Sequence, residues 1–223
     1  MFDEIEQIIE AGKQYDNYLE AIDDNVIGKK SKSALGYAKT SLVRLYGFEK
    51  DEVAFKLFIK MWDDCNENEK RLLTFLLALK KDDLLQESID FVSALEEGQV
   101  VDKNQLQKNI AKVADYTEKT LQSTTRNILS SWKQAGFLEG KKVVVKKRPD
   151  ITYKVVSFAI ALGTFDRLSG QFLLNAPYIK ALCLSSKELD DLFNEAKVKD
   201  LIHYQNAGNV VSFMLNEKFV GYE

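Results

Sequence analysis

The chain carries only two prolines, Pro149 and Pro177, so 148 residues run before the first one. Proline breaks helices because it lacks an N–H and clashes with the preceding turn. A long proline-free stretch with apolar residues at spacings of three and four is therefore free to be helical throughout. Residues 2–23 read as one or two amphipathic helices, with Phe2, Ile5, Ile8 and Ile9 as one stripe and Tyr15, Tyr18, Leu19 and Ile22 as another. Ser31 or Ser33 caps a helix that runs to about residue 46 and turns Leu35, Ala38, Leu42 and Leu45 inward. Residues 49–64 form a further helix around Val53, Phe55, Phe58, Ile59 and Trp62. Residues 67–80 are apolar nearly all round, which places that helix at the centre of the core. Asp82 caps a helix that Gly98 ends, and 103–113 forms a short helix.

The stretch 115–147 is the most informative. It opens as an amphipathic helix whose inner stripe is Leu121, Thr124 or Thr125, Ile128, Leu129, Trp132 and Ala135. Its outer face carries Lys119, Gln122, Ser123, Arg126, Asn127 and Lys133 and reads as acid-free. Gly136 suits a helix C-cap, where positive φ is required. A turn at Glu139 and Gly140 then leads to a strand at 143–145. Alternation along that strand would set Lys142 and Lys146 opposite Val143 and Val145. Between Lys141 and Lys154 six basic residues face one acid, Asp150, a local charge of about +5 by count. A polar helix followed by a glycine cap and a basic hairpin is the order of a winged helix-turn-helix.

After Pro149 the pattern changes. Residues 151–155 begin as a strand and pass into an apolar segment that can be helical, and a helix is expected near 168–175. From Ser185 onward the order of helix and hairpin recurs, with strands at 201–205 and 209–215 turned by Asn206, Ala207 and Gly208. The expected fold is thus mostly α with short β-hairpin wings. It comprises an N-terminal helical bundle (1–100), a winged helix-turn-helix unit (101–155) and a winged-helix-like C-terminal unit (156–223).

These residues point to nucleic acid. Arginine pairs with guanine, asparagine and glutamine with adenine, and serine reaches phosphate. The expected contacts are Lys119, Gln122, Ser123, Arg126, Asn127 and Lys133 on the helix, with Lys141, Lys142, Lys146, Lys147 and Arg148 on the wing. Four to six phosphate contacts would give a log–log salt slope of roughly −4 to −5. A secondary basic cluster comprises Lys29, Lys30, Lys32, Lys39 and Arg44. The net charge is −3, so any such site is a local patch. The second helix, with Glu188, Asp190, Asp191 and Glu195, should be repelled by DNA and suits a structural or protein-binding role.

Other chemistry finds little support. One histidine, His203, and two distant cysteines, Cys65 and Cys183, offer no zinc set or nucleophilic triad. The scattered glycines form no phosphate loop. No catalytic residue, metal or cofactor is expected. The acidic N-terminus and the shortness of the apolar run at 72–79 point to a cytoplasmic protein with no membrane contact.

Three segments resemble the BrxA family of bacteriophage-exclusion (BREX) defence systems. They are DNVIGKKSKSALGYAKTSLVRLYGF (24–48), RLLTFLLALKKDDLLQESIDFV (71–92) and TEKTLQSTTRNILSSWKQAGFL (117–138). The family turn is richer in arginine, and Gly36, Tyr37 and Ala38 stand where Ala-Arg-Arg is expected. The resemblance implies a helical, non-enzymatic, winged-helix component that binds double-stranded DNA and acts with other defence proteins. Two further expectations remain from the residues themselves: a protein-interaction scaffold, or an RNA-binding factor of antitermination type, since a helix and a basic loop also suit structured RNA.

Overall fold

Helix caps and apolar periodicity set out the N-terminal half much as expected. The computed structural model describes residues 2–15, 17–48, 52–208 and 210–221. In order come α1 (Phe2–Gly12), α2 (Tyr18–Asp23), α3 (Lys32–Tyr46), α4 (Val53–Trp62) and α5 (Glu67–Leu79). Ser31, rather than Ser33, caps α3, its hydroxyl accepting the Ala34 N–H at 3.1 Å. The expected start of α4 at Glu49, Lys50 and Asp51 lies outside the described residues, as does Asn209 at the head of the last strand. In α5 every residue from Leu72 to Leu79 is buried, and α1, α3, α4 and α9 (below) pack around it.

The helix expected over 82–98 is two short ones, α6 (Asp83–Glu87) and α7 (Ile89–Ser93), with Ser88 between them. The buried Ser88 hydroxyl donates to the Leu85 carbonyl (2.6 Å) and accepts the indole N–H of Trp132 (2.7 Å). That distant tryptophan stabilises the break. Next come α8 (Lys103–Ala111), α9 (Glu118–Gln134), β1 (Leu138–Glu139) and β2 (Val145–Lys146), the last two forming an antiparallel pair.

Residues 151–155 do not begin as a strand. Tyr153 opens α10 (Tyr153–Phe165), in which residues 155–163 are all buried. A segment apolar on every side is driven to the centre of a protein, and helix satisfies its backbone there. α10 packs on α4 and α5 and also on three later helices, so a boundary at 155/156 would cut through a shared helix. The chain closes with α11 (Gln171–Leu174), α12 (Pro177–Lys180), α13 (Ser186–Val198), β3 (Ile202–Ala207), β4 (Val210–Leu215) and α14 (Glu217–Val220). The β3–β4 ladder runs from Ile202↔Leu215 to Ala207↔Val210, with Gly208 at φ +69°, so the turn comes two residues later than expected.

The molecule is thus mostly helical with two small antiparallel hairpins, and its buried residues form one cluster from Phe2 to Val220. Among the described residues no helix is long and apolar enough to cross a membrane.

Candidate nucleic-acid interface

α8 and α9 pack as a pair, each begun by a side-chain cap. Asp102 accepts the N–H groups of Asn104 and Gln105, and Thr117 accepts that of Thr120. The inner stripe of α9 is Leu121, Thr125, Ile128, Leu129 and Trp132, so Thr125 and not Thr124 faces the core. On the other side Lys119, Gln122, Arg126 and Asn127 are exposed, while Ser123 and Lys133 are half-buried.

This face is not acid-free. Glu118 lies one turn before Gln122, and its Oε1 accepts Nε2 of Gln122 (2.9 Å) and of Gln107 on α8 (2.8 Å). Residues four apart share a helix face, so the spacing alone places Glu118 there. Two other members of the face are held by their own helix: the Ser123 hydroxyl donates to the Thr120 carbonyl and Arg126 Nε to that of Gln122.

The hairpin corrects the expected wing in two respects. First, its turn is longer. Leu138 pairs with Lys146 and Glu139 with Val145, leaving 140–144 as the loop. Gly140 sits at φ +103°, and a Cβ there would lie 2.0 Å from the Val143 carbonyl oxygen. Second, the faces are reversed. Val143 is exposed, while Val144 and Lys146 turn inward. The cause is a third backbone segment. Val101 N–H donates to the Val144 carbonyl (2.8 Å), and Gly98 and Gln99 bond both backbone groups of Lys146 at 2.9 Å. β2 is therefore bound on both edges, and its inward side is set by residues 98–101 as well as by β1.

Lys146 is consequently only 2% exposed. Its Nζ lies 3.2 Å from Cys183 Sγ and 5.1 Å from the centre of the Phe137 ring. An ammonium so enclosed cannot reach a phosphate, and Lys146 leaves the candidate set. Burial pushes the Cys183 thiol up, and the Lys146 ammonium pulls it part of the way back. Lys147 and Arg148 are exposed, but each meets a carboxylate: Lys147 that of Glu139 (3.3 Å), Arg148 that of Glu188 (2.6 Å). Glu188 is held down at about 2, first by the Ser185 hydroxyl and backbone N–H and then by Arg148.

Lys141 and Lys142 remain exposed on the loop, and a lysine overlooked in the sequence joins them. Lys103, the first residue of α8, donates from Nζ to the Lys142 carbonyl at 3.1 Å. Lys133 on α9 is pushed down by burial and by the charge of Lys103. The start of α8 thus meets the hairpin loop at the Lys142 carbonyl, and the charge of Lys103 is felt by Lys133 at the far end of α9. The signal for Lys103 was present: 103–112 contains Lys103, Lys108 and Lys112 and no acid.

The secondary cluster divides. Lys29 pairs with Glu4, and Lys39 with Asp23 at the end of α2. Lys30, Lys32 and Arg44 are exposed. Arg44 lines a cleft of about 360 Å³ that is also lined by Arg71, by Asp82 and by Asn127, Ser130 and Ser131 of α9. Cys65 and Cys183 are free thiols, and no group of three or more metal-ligating side chains occurs among the described residues. Comparison with family models, with curated proteins and with solved structures returns no match to this chain.

Proposed function

We propose that this protein binds nucleic acid, with double-stranded DNA as the ligand, and that residues 83–148 act as a winged helix-turn-helix. In this reading α6–α7 is the first helix and α8–α9 the helix-turn-helix pair. Residues 98–101, β1 and β2 make the small sheet, and loop 140–144 is the wing. The observation that carries the proposal is the meeting of Lys103, Lys133 and the Lys142 loop. Like charges repel, so a surface that sets Lys103 and Lys133 within reach of one another's charge, beside a loop carrying exposed Lys141 and Lys142, is suited to a polyanion. Lys119, Arg126 and Lys141 extend the patch, and Gln122 and Asn127 supply groups able to read base edges.

The resemblance to the BrxA family adds a role in anti-phage defence alongside other proteins of such a system, and the reading assigns no catalytic step. A second reading applies to the C-terminal unit alone. Val198 on α13 is exposed at 81%, and Val210 and Met214 on the outer face of the second hairpin at 67% and 62%, which favours a protein contact there.

The test is a fluorescence-anisotropy titration against a duplex of about 25 base pairs at two salt concentrations. Six phosphate contacts predict a log–log slope of roughly −5. The Lys103→Glu/Lys141→Glu/Lys142→Glu variant changes exposed positions only, and should lower the slope by about 3 and the affinity by roughly a hundredfold. Absence of salt-sensitive binding by the unaltered protein at about 50 mM salt would overturn the proposal. Competition by an RNA duplex of equal length tells the two nucleic acids apart.

A further inference from the structure

We infer that the outer face of α3 is a second arm of the same nucleic-acid interface, contacting the backbone of the bound duplex beyond α9. This inference rests on the reading proposed above for α8, α9 and the wing.

Burial along α3 is one-sided, with Leu35, Ala38 and Val43 half-buried against the core and the fully buried positions near its end. Its buried residues are Leu42, Leu45 and Tyr46, and none of the first ten positions is buried. Its outer face can be followed turn by turn. Ser33, Tyr37, Ser41 and Arg44 recur at spacings of four, four and three, which sets them on one side. All four are exposed, Tyr37 at 76%. Thr40 and Lys32 are exposed as well. Serine, threonine, tyrosine, lysine and arginine are the side chains that bond phosphate oxygens.

No acid occurs between Asp24 and Glu49, so nothing on this helix opposes a polyanion. Asp23 and Glu4 are engaged by Lys39 and Lys29, and Asp82, which lines the cleft with Arg44, accepts the Leu85 N–H as the cap of α6. Gly36 lies within the helix, where glycine costs about 1 kcal/mol relative to alanine. A Cβ at that position would meet nothing within 4 Å, so no internal packing accounts for the glycine. A bare stretch of helix does allow another backbone to come close.

The arm is continuous with the main site. Ser41 and Arg44 line the same cleft as Asn127, Ser130 and Ser131 of α9. From Arg44 back to Ser33 the helix extends about 16 Å at 1.5 Å per residue, close to the rise of five base pairs. The occupant is a nucleic-acid backbone because this helix face combines hydroxyls and cations and runs toward an α9 face on which Lys119, Arg126 and Lys133 outnumber Glu118.

The experiment uses the full chain and the duplex of about 25 base pairs described above. A Lys32→Glu/Tyr37→Ala/Arg44→Glu variant should bind about tenfold more weakly, with the salt slope reduced by about 2. A Lys187→Glu/Lys197→Glu variant makes the same change in net charge on α13 and should stay within about twofold of the unaltered protein. In the unaltered protein, bound DNA should shield Tyr37 from hydroxyl-radical oxidation, a readout that needs no variant. If the α3 variant behaves like the α13 control, or if Tyr37 is oxidised equally with and without DNA, the arm is refuted while the α8–α9 reading stands. If the unaltered protein binds no duplex, both fall together.

Discussion

The two helix–hairpin units share an order of elements and differ in nearly everything else. α9 carries Lys119, Arg126 and Lys133 against Glu118, whereas α13 carries Glu188, Asp190, Asp191 and Glu195 against Lys187 and Lys197. The first hairpin has two-residue strands, is bound by residues 98–101 on its second edge and turns Lys146 under itself. The second has six-residue strands with one face fully exposed: His203, Gln205 and Ala207 on β3, Val210, Ser212 and Met214 on β4. Its inner face holds the ring cluster of Phe193, Tyr204 and Phe213, with centroids 4.9–5.1 Å apart. Connectivity sets the shape of such a unit, and the charge of the helix before the hairpin sets which partner it can approach. The acidic unit also acts on the basic one, since Glu188 and Cys183 engage Arg148 and Lys146 at the root of the wing.

That contrast can be broken most forcefully at Lys146. Lys146→Glu would bury a carboxylate against sulfur and aromatic rings, and should cost roughly 3 kcal/mol or more in chemical denaturation. Lys146→Met keeps the volume and removes the buried charge. It should leave stability equal or higher and DNA affinity unchanged, unlike changes at Lys141 and Lys142. A loss of affinity in the folded Lys146→Met protein would show that the wing faces had been misassigned.

The link between the units can be tested by acid. Glu188 has its carboxyl lowered from 4.5 to about 2 in the folded chain. A lowered carboxyl contributes stability that is fully present above its unfolded value and is lost as pH falls through the folded one. Glu188→Gln should therefore lower the melting temperature at neutral pH and flatten its decline between about pH 4.5 and 2. Parallel curves for the two proteins would remove Glu188 from the linkage. The smallest effect expected is at Glu118, the acid on the otherwise basic helix. Glu118→Gln should raise duplex affinity by roughly threefold at low salt, the scale of one exposed charge, and unchanged affinity would place Glu118 outside the footprint.

How much of this could be read beforehand depended on whether the cause was local. α1, α3, α9 and α13 announce themselves by apolar spacing and α5 by being apolar nearly all round, while residue type marks the cap at Asp82 and narrows two others to a pair of serines each, Ser31 or Ser33 and Ser185 or Ser186. The break at Ser88 could not be foreseen, because its partner Trp132 lies 44 residues away. α10 shows no amphipathic period, being apolar all round, and its β-branched opening resembles a strand. Alternation in the wing gave spacing without phase. The inward side was decided by residues 98–101, so Lys146 was placed on the wrong face. Glu118 and Lys103 were legible by spacing and composition, but the helix face was drawn only from Lys119 onward. The cleft joining Arg44 to Asn127 requires α3 and α9, whose lining residues are 83 positions apart, both to pack on α5.

The position of α10 also bears on the order in which the protein can assemble during synthesis. α4 and α5 are complete at residue 79, yet the helix that covers part of their surface ends at residue 165. At the usual 5–20 residues per second the ribosome needs roughly 4–17 s to supply it. For that interval an apolar face of the nascent bundle stands uncovered, within reach of chaperones and of neighbouring chains. Release of the last third of the chain is then what closes the first third.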